Sequence, residues 1–524
     1  MKKPKSKAGL RIDSAVFWPS VIISVILILW GTVANDSFAR VVNFLFDFLV
    51  GKFSWFYLLF VSGVLVVTVI AGLSKYGDIK LGKPDDEPEL SSPSWFAILF
   101  GAGMGIGLVF WGIAEPISHY ISPPFGEGQT AESALLAIRY SFFHWGLHPW
   151  ALYSMFGMMI AYFSFRRGLP QLPSSTLYPL LGEKGVKGIT GKIFDITAVF
   201  ATLFGLVTSL GLGAQQINSG LNYLLGVPVN DGITVLIIAV ITVLFIMAVV
   251  SGLEKGIKFV GNLNLYLSFL ILIMLTLVGP TFFIFQYFTE GLGGYLQNIF
   301  DMSFFTSSIG QSPWPGWWTV FYWAWWIAWT PFVGGFIARI SRGRTIREFV
   351  IATLFIPTIL SFIWISVMGG SAIWLEEFGA GGVIEPVQQD IASAFFVTLG
   401  KFPLGFLMSL IALVLVGTYF ITSANGATFV MGMLTSYGDL NPLNRLKITW
   451  GAAEGLIAIV LVLAGGLSAL QTASIVGAFP FMLFMIFSIY SFFKAVKTDY
   501  KLIDKGEFIG EVELKYGNTI NNRL

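Results

Sequence analysis

The chain contains no cysteine and only three histidines, and charged residues make up 11% of its 524 positions. The absence of cysteine excludes a disulfide framework, thiol chemistry and iron–sulfur ligation. Charged residues are far rarer than in a soluble domain, and the net charge of +2 gives no indication of a nucleic-acid partner. The chain also lacks a Gly-x-x-x-x-Gly-Lys-Ser/Thr phosphate loop and a recognisable nucleophile–base pair, so we expect neither an enzyme nor an organic cofactor.

Hydrophobic residues make up 55% of the chain and recur in runs of about 20, the length that a helix needs to cross a bilayer. The sequence therefore predicts an all-α polytopic membrane protein, with tails at 1–14 and 494–524 around a domain at 15–493. Twelve spans are predicted, with approximate limits 15–35, 54–74, 94–114, 139–165, 193–223, 232–252, 259–287, 317–338, 347–370, 402–432, 449–470 and 473–493.

The basic residues indicate the orientation. Of the 31 Lys and Arg residues, all fall in the tails and in the loops on the side of the tails except Arg40, Lys52, Arg139 and Lys401. By the positive-inside rule, both termini are expected in the cytoplasm. The outer segment 288–316 is expected to form an amphipathic helix on the outer surface.

The eighth predicted span is dominated by tryptophan. On a helix that advances about 100° per residue, its aromatic residues share a sector of about 120°: Tyr322, Trp325, Trp326, Trp329 and Phe332. Plain packing is one alternative, and an aromatic belt at the membrane interface is another, which suits the outer Trp314, Trp317 and Trp318 better. A wall of ring faces can hold a quaternary ammonium group by cation–π attraction.

The fourth predicted span adds a second aromatic set. Counted from Trp145 along a continuous helix, Trp150 and Tyr153 fall on the same face. Rings from two helices would make an aromatic box, and an outer-leaflet belt is the alternative. His144 and His148 have i, i+4 spacing, but the Glu that the metalloprotease motif requires between them is missing, so no metal centre of that kind is expected.

The third predicted span contains the run Gly101-Ala102-Gly103-Met104-Gly105-Ile106-Gly107, followed by Glu115-Pro116. Each glycine inside a helix costs about 1 kcal/mol relative to alanine. Close helix packing through small-xxx-small spacing is one explanation. We favour the other, a helix break near the bilayer midplane that offers backbone groups to a ligand, because packing alone does not need so dense a run.

Side-chain hydroxyls in the fifth and tenth spans suggest the coupling ion. Thr202, Thr422 and Ser423 offer hard oxygen atoms of the kind that replaces water around Na⁺, and helix–helix hydrogen bonding is the alternative. Glu115 and Glu454 lie near predicted helix ends, where capping or snorkelling would explain them. Since no acidic residue lies in the glycine run or on the aromatic faces, sodium is favoured over a proton.

These residues resemble the betaine/choline/carnitine transporter family over nearly the whole chain. The resemblance is carried by the glycine run, Glu115-Pro116, the segment from His144-Trp145 to Tyr153, and Ala324 to Phe332. It implies two N-terminal helices followed by two inverted five-helix repeats, spans 3–7 (about 94–287) and spans 8–12 (about 317–493). It also implies a homotrimer in a bacterial cytoplasmic membrane.

The resemblance further implies a substrate site and sodium sites. The aromatic box would comprise Trp145, Trp150, Tyr153 and Trp326, with Trp325, Trp329 and Phe332 along the pathway and the backbone of Gly103, Met104, Gly105 and Gly107 beside it. One Na⁺ would bind the backbone at Ala102 and Met104 with Thr422 and Ser423, and a second would bind Thr202 and Phe332. Leu206 departs from the second pattern, because the family has a hydroxyl there.

The expected function is osmoprotective uptake of glycine betaine driven by the sodium gradient. Similar choline carriers tend to place Asp at the position of Gly107, and the missing charge here favours a zwitterion over choline. Ectoine, proline betaine, carnitine and choline stay open as alternative substrates, as does proton coupling. An osmotic sensor or a channel is the alternative of another class, but no soluble sensor domain or continuous polar pore lining is recognisable.

Overall fold

The computed structural model describes residues 12–103, 105–251, 254–503, 505 and 507–508. Within this part of the chain the regular structure is helical, apart from one isolated β-bridge between Lys80 and Thr345. The α-helices are α1 Ser14–Val33, α2 Asn35–Leu73, α3 Ser92–Gly103, α4 Ile106–Ile121, α5 Ala131–Trp145, α6 Leu147–Ala161, α7 Tyr178–Lys187, α8 Ile189–Leu225, α9 Asp231–Val250, α10 Glu254–Val278, α11 Thr281–Phe304, α12 Phe321–Arg339, α13 Ile346–Glu377, α14 Ile384–Gln389, α15 Ala394–Gly400, α16 Gly405–Leu434 and α17 Asn444–Ile503.

Among the described residues, eight of these helices are long and apolar enough to cross a membrane. They are α1, α2, α8, α9, α10, α13, α16 and α17. The prediction of an all-α polytopic membrane protein is therefore confirmed at this level. Predicted spans three and four are each divided into two shorter helices, and α17 covers both predicted spans eleven and twelve.

Glycines mark the places where the helices break. α3 ends at Gly103 and α4 begins at Ile106, and Gly105 between them is extended, with φ −159° and ψ 178°. The predicted break in the glycine run is thus observed, and Met104 lies outside the described residues. Inside α17 the backbone leaves the helical region at Gly465 and Gly466, and the φ of +56° at Gly466 is one that residues with a side chain rarely adopt.

A second break was not predicted. α5 ends at Trp145 and α6 begins at Leu147, so the fourth predicted span is not one continuous helix. Gly146 occupies the break because the site has no room for a side chain. A Cβ there would lie 2.5 Å from the carbonyl oxygen of Phe142 and 3.1 Å from the ring of Phe362.

Several predicted boundaries need correction. α10 ends at Val278 and not at 287, because Gly279-Pro280 stops the helix and α11 begins at Thr281. The predicted C-terminal tail from 494 begins inside α17, which continues to Ile503. Its Asp499 is fully buried and accepts hydrogen bonds from Arg166 and from the hydroxyl of Tyr162, so this segment belongs to the packed helix.

The basic residues that follow α12 tie the loops together at one end of the bundle. The guanidinium of Arg342 donates to Asp86, with Nε 3.1 Å from Oδ2, and Arg344 donates to the carbonyl of Leu90 at 2.7 Å. Both partners lie in the loop between α2 and α3. The loop residues on the predicted basic side therefore lie close together, and we call this region the basic end.

The aromatic helix α12 is buried in the middle of the structure, where it packs against α6, α8 and α17. Small residues permit this close packing. α6 and α12 approach at Gly157 and Gly334, where a Cβ on Gly157 would lie 2.9 Å from the carbonyl oxygen of Gly334. The rings on α12 are therefore held at a fixed position relative to α6.

Candidate functional site

A cavity of about 650 Å³ lies beside α12. Residues from α3, α4, α5, α6, α8, α10, α12 and α16 line it, and none of these described lining residues has a charged side chain. The lining comprises Ala97, Ile98, Gly101, Gly105, Ile106, Gly107, Leu108, Trp145, Trp150, Tyr153, Ser209, Gly261, Asn262, Asn264, Leu265, Trp325, Trp326, Trp329, Phe332, Val333, Phe336, Tyr419, Thr422 and Ser423.

Four of the lining rings form a cluster around Trp326, which we call the aromatic box: Trp145, Trp150, Tyr153 and Trp326. The ring centroid of Trp326 lies 5.5 Å from that of Trp145, 5.3 Å from that of Trp150 and 4.8 Å from that of Tyr153. Trp150 and Tyr153 meet edge to face at 5.4 Å. The rings are tilted against one another, so that they can present faces to one small group from several directions.

The box assembles for a reason different from the predicted one. The sequence prediction counted Trp145, Trp150 and Tyr153 along one helix, but Trp145 ends α5, and the other two lie on α6 beyond the break at Gly146. The three rings come together because both helices pack against α12 and meet Trp326 there. The prediction that these residues lie together is therefore confirmed, and the helical geometry behind it is wrong.

On α12 the prediction of a shared aromatic face is confirmed for four of the five rings. Trp325, Trp326, Trp329 and Phe332 line the cavity, as expected of a continuous helix. Two of them are anchored to α8, since the indole N–H of Trp325 donates to the carbonyl of Gly205 at 3.2 Å and that of Trp329 donates to Ser209 at 3.1 Å.

Two box members have an unused hydrogen-bond donor. The indole nitrogens of Trp150 and Trp326 are buried, and neither has a hydrogen-bond partner among the described residues. An indole N–H can only donate, and an unpaired buried donor is costly.

The glycine run does two different things. Gly101 and Gly105 line the cavity, and a Cβ on either would meet no atom within 4 Å, so these glycines leave backbone open to the cavity. Gly107 is enclosed, because a Cβ there would approach Trp325 to less than 3.0 Å and Trp145 to 3.2 Å. Both explanations of the run, exposed backbone and close packing, therefore apply to different glycines.

Of the residues predicted to bind the first sodium, the structure describes the side chains of Thr422 and Ser423. Thr422 and Ser423 line the cavity, and the side-chain amide of Asn264 donates to the hydroxyl of Thr422 at 3.1 Å. Ala102 lies in the last turn of α3, and Gly103 is the last residue of that helix. Together they place a helix C-terminus and two hydroxyls on one cavity, a combination that can bind Na⁺.

The second predicted sodium site is not brought together in the same way. Phe332 lines the cavity, whereas Thr202 is not among the described residues that line it. The hydroxyl oxygen of Thr202 is buried without a hydrogen-bond partner among the described residues. Leu206, one turn along α8, is fully buried and brings no oxygen.

Sequence reasoning missed two groups of residues at this site. α10 contributes Gly261, Asn262 and Asn264 to the lining, although nothing in its apolar sequence distinguished it from an ordinary span. Glu115 was expected to be a capped or snorkelling residue, but it is fully buried behind the box, where it accepts the indole N–H of Trp145 at 2.8 Å. The sequence feature that could have indicated this is an acidic residue, Glu115, followed by a proline within an apolar span.

The cavity extends from the box toward the basic end. Its lining includes Ala97 near the start of α3 and Phe336 near the end of α12, and Phe336 is 38% exposed. On the other side of the box, Trp111, Trp318 and Tyr322 pack together, with centroids 5.5–6.4 Å apart. Trp111 and Tyr322 are buried, so this ring cluster closes the far end.

Comparison with known proteins identifies the family of the chain. A family model described as betaine/carnitine/choline family transporter matches residues 15–501. The chain is 48% identical to the glycine betaine transporter OpuD of Bacillus subtilis over 95% of this chain and 97% of that protein. It is 46% identical to a probable glycine betaine transporter of Desulfitobacterium hafniense (93% and 98% covered) and 39% identical to an ectoine/hydroxyectoine transporter of Virgibacillus pantothenticus (95% and 97% covered). The chain belongs to the betaine/carnitine/choline transporter family.

Proposed function

We propose that this transporter imports glycine betaine and is driven by the sodium gradient. The observation that carries the proposal is the uncharged cavity in which four tilted rings converge beside the N-terminus of a helix. Glycine betaine has no net charge, since its trimethylammonium group and its carboxylate cancel. A cavity without charged side chains suits such a zwitterion better than a net cation.

The box supplies the site for the ammonium group. A trimethylammonium group has no N–H to donate, so hydrogen-bonding residues cannot recognise it, whereas the faces of Trp and Tyr attract it by cation–π interaction. Trp145, Trp150, Tyr153 and Trp326 offer such faces within one cluster. Each contact contributes about 1–2 kcal/mol in a site that excludes water.

The carboxylate would lie at the start of α4. The first N–H groups of a helix are unpaired and carry partial positive charge, which makes a helix N-terminus a site for anions. Ile106, Gly107 and Leu108 form the first turn of α4, and all three line the cavity. Both ends of the zwitterion therefore have chemically matching partners in one cavity.

Sodium would bind where α3 ends. The last carbonyls of a helix are unpaired and carry partial negative charge, and Thr422 and Ser423 add hydroxyl oxygens. This site would comprise the backbone at Ala102 and Met104 with the two side chains. Because α3 and α4 are the two halves of one broken span, Na⁺ and substrate would stabilise the same broken helix from its two sides, which links their binding.

The proposed transport cycle follows from this arrangement. We propose twelve crossings in two inverted repeats, with both termini and the basic end in the cytoplasm of a bacterial cell and the protein assembled as a homotrimer. In that orientation the described conformation is open toward the cytoplasm and closed outside by the ring cluster of Trp111, Trp318 and Tyr322. Import would alternate this state with one in which the ring cluster separates.

The test is uptake of radiolabelled glycine betaine into proteoliposomes, with an inward Na⁺ gradient or with K⁺ in its place. We expect uptake against the substrate gradient only with Na⁺, and at least about a tenfold loss in Trp326→Leu, which removes the central ring of the box. The matched control is Trp317→Leu, since Trp317 is 55% exposed and does not line the cavity.

Four other results would contradict parts of the proposal. Uptake that persists without Na⁺ would indicate proton coupling or exchange, and substrate that only equilibrates would indicate a channel. Absence of glycine betaine uptake with transport of ectoine would shift the substrate to that solute, a specific alternative because one relative is an ectoine/hydroxyectoine transporter. Equal loss in Trp326→Leu and Trp317→Leu would remove the box from the mechanism.

A further inference from the structure

Glu115 has no solvent exposure, and its carboxylate accepts four hydrogen bonds. Oε1 accepts from Nε2 of His119 at 3.2 Å and from Nδ1 of His144 at 2.7 Å. Oε2 accepts from the indole N–H of Trp145 at 2.8 Å and from the hydroxyl of Tyr322 at 2.5 Å. The donors come from α4, α5 and α12, so this one side chain joins α4 to the two helices that carry Trp145 and Trp326.

The contacts on Oε2 suit an ionised carboxylate. An indole nitrogen can only donate, so Trp145 requires an acceptor there, and the hydroxyl of Tyr322 donates to the same oxygen. On the other side of its imidazole ring, Nε2 of His144 lies 3.0 Å from the hydroxyl of Thr319. No Lys or Arg of the described residues forms an ion pair with it.

The charge reaches the box through Trp145. The hydrogen bond holds the indole by its N–H edge, while the same ring meets Trp326 at a centroid distance of 5.5 Å and Trp325 at 6.3 Å. A carboxylate that accepts from an indole N–H also pushes electron density into the ring. The face that attracts a cation becomes more negative as a result.

A charge in this position avoids a conflict within the site. A carboxylate in the cavity itself would repel the carboxylate of a zwitterion, whereas Glu115 lies behind the ring, on the ammonium side. We propose that Glu115 is a positioning residue, which orients Trp145 and strengthens the attraction of that ring for the ammonium group. This inference rests on the proposed function, because it assumes that the box holds a quaternary ammonium.

Equilibrium binding of radiolabelled glycine betaine to the purified full chain in Na⁺ tests the proposal through a double-mutant cycle. Glu115→Gln is expected to weaken binding about tenfold, and Glu115→Asp, which keeps the charge, less than about threefold. In Trp145→Phe the N–H is gone, so the further change Glu115→Gln should alter binding less than about twofold. If Glu115 were only structural, Glu115→Gln would weaken binding by the same factor in Trp145→Phe as in wild type.

The control is Glu454→Gln. Glu454 is also a fully buried carboxyl in a helix, with one oxygen bonded to Thr428, but it does not line the cavity or contact the box residues by any described hydrogen bond. Its substitution should leave binding within about twofold of wild type, and the melting temperature of each variant shows whether it is folded. If Glu115→Gln does not fold, Trp145→Phe alone tests the hydrogen bond. It keeps an aromatic ring but removes the N–H, so it should weaken binding about tenfold, and wild-type affinity in this variant would overturn the proposal.

Two outcomes overturn the proposal and can be told apart. If wild type binds glycine betaine but the Glu115 substitution costs the same factor with and without Trp145, then Glu115 does not act through that ring, and the proposed function survives. If wild type does not bind glycine betaine, the proposed substrate is wrong, and the proposed role of Glu115 in binding it is wrong as well.

Discussion

Addition of one methyl group at Gly107 should disturb the box in a defined way. A Cβ at this position would clash with Cη2 of Trp325 and lie 3.1 Å from Cζ3, so the ring has to retreat by roughly 1–1.5 Å to regain ordinary contact. The retreat strains the hydrogen bond from Trp325 to Gly205 and the stacking of Trp325 on Phe321, whose centroids are 5.6 Å apart.

The cost can be estimated from the chemistry of overpacked sites. An extra methylene in a tightly packed site typically costs about 1–3 kcal/mol, which corresponds to about 5- to 150-fold in an equilibrium constant. Because Trp325 also touches Trp145 of the box, part of this strain falls on the substrate site. We therefore expect Gly107→Ala to raise the KM for glycine betaine about tenfold and to lower thermal stability.

The assay is sodium-driven uptake over a range of glycine betaine concentrations, with Gly335→Ala as the control. Gly335 is in α12, the helix that carries Trp325, but a Cβ there would meet no atom within 4 Å. The control should therefore transport as wild type does. An unchanged KM in Gly107→Ala, or equal effects of both substitutions, would refute the close packing of Gly107 against the ring.

Two further predictions concern the ion site and the basic end. Thr422→Val should raise the KM for Na⁺ about tenfold or more, because it removes an oxygen from the proposed site. The control is Thr418→Val, whose hydroxyl bonds within its own helix and whose KM for Na⁺ should not change. An equal rise in KM for both variants would contradict the site. Asp499→Ala should destabilise the protein by about 3–5 kcal/mol in detergent unfolding, because it leaves the buried guanidinium of Arg166 without its ion-pair partner. Lys497 is exposed, so Lys497→Ala should have little effect on stability. Equal stability of the two variants would contradict a stabilising role of the ion pair.

The aromatic face of α12 could be predicted from the sequence because its geometry is local. A continuous helix repeats every 3.6 residues, so Trp325, Trp326, Trp329 and Phe332 had to share a face wherever the helix lay. The break in the glycine run could be predicted for the same reason, because the cost of placing glycine in a helix depends only on the local sequence. Such features need no knowledge of distant residues.

The remaining features depend on contacts between distant parts of the chain. The break at Gly146 is packed against Phe362, which is far away in sequence, and the spacing around Trp145 gave no sign of it. The environment of Glu115 depends on donors from α5 and α12, and a residue near a predicted helix end could as well have been exposed. α17 continues to Ile503 because Asp499 pairs with Arg166, which no local pattern reveals.

A cryo-EM structure of the protein with saturating glycine betaine and Na⁺ tests the central claim most directly. The proposed function predicts a trimethylammonium group enclosed by Trp145, Trp150, Tyr153 and Trp326, with its carboxylate at the first turn of α4. Ligand density elsewhere in the cavity, or the reverse orientation with the carboxylate against the rings, would contradict the assignment of the box as the ammonium site.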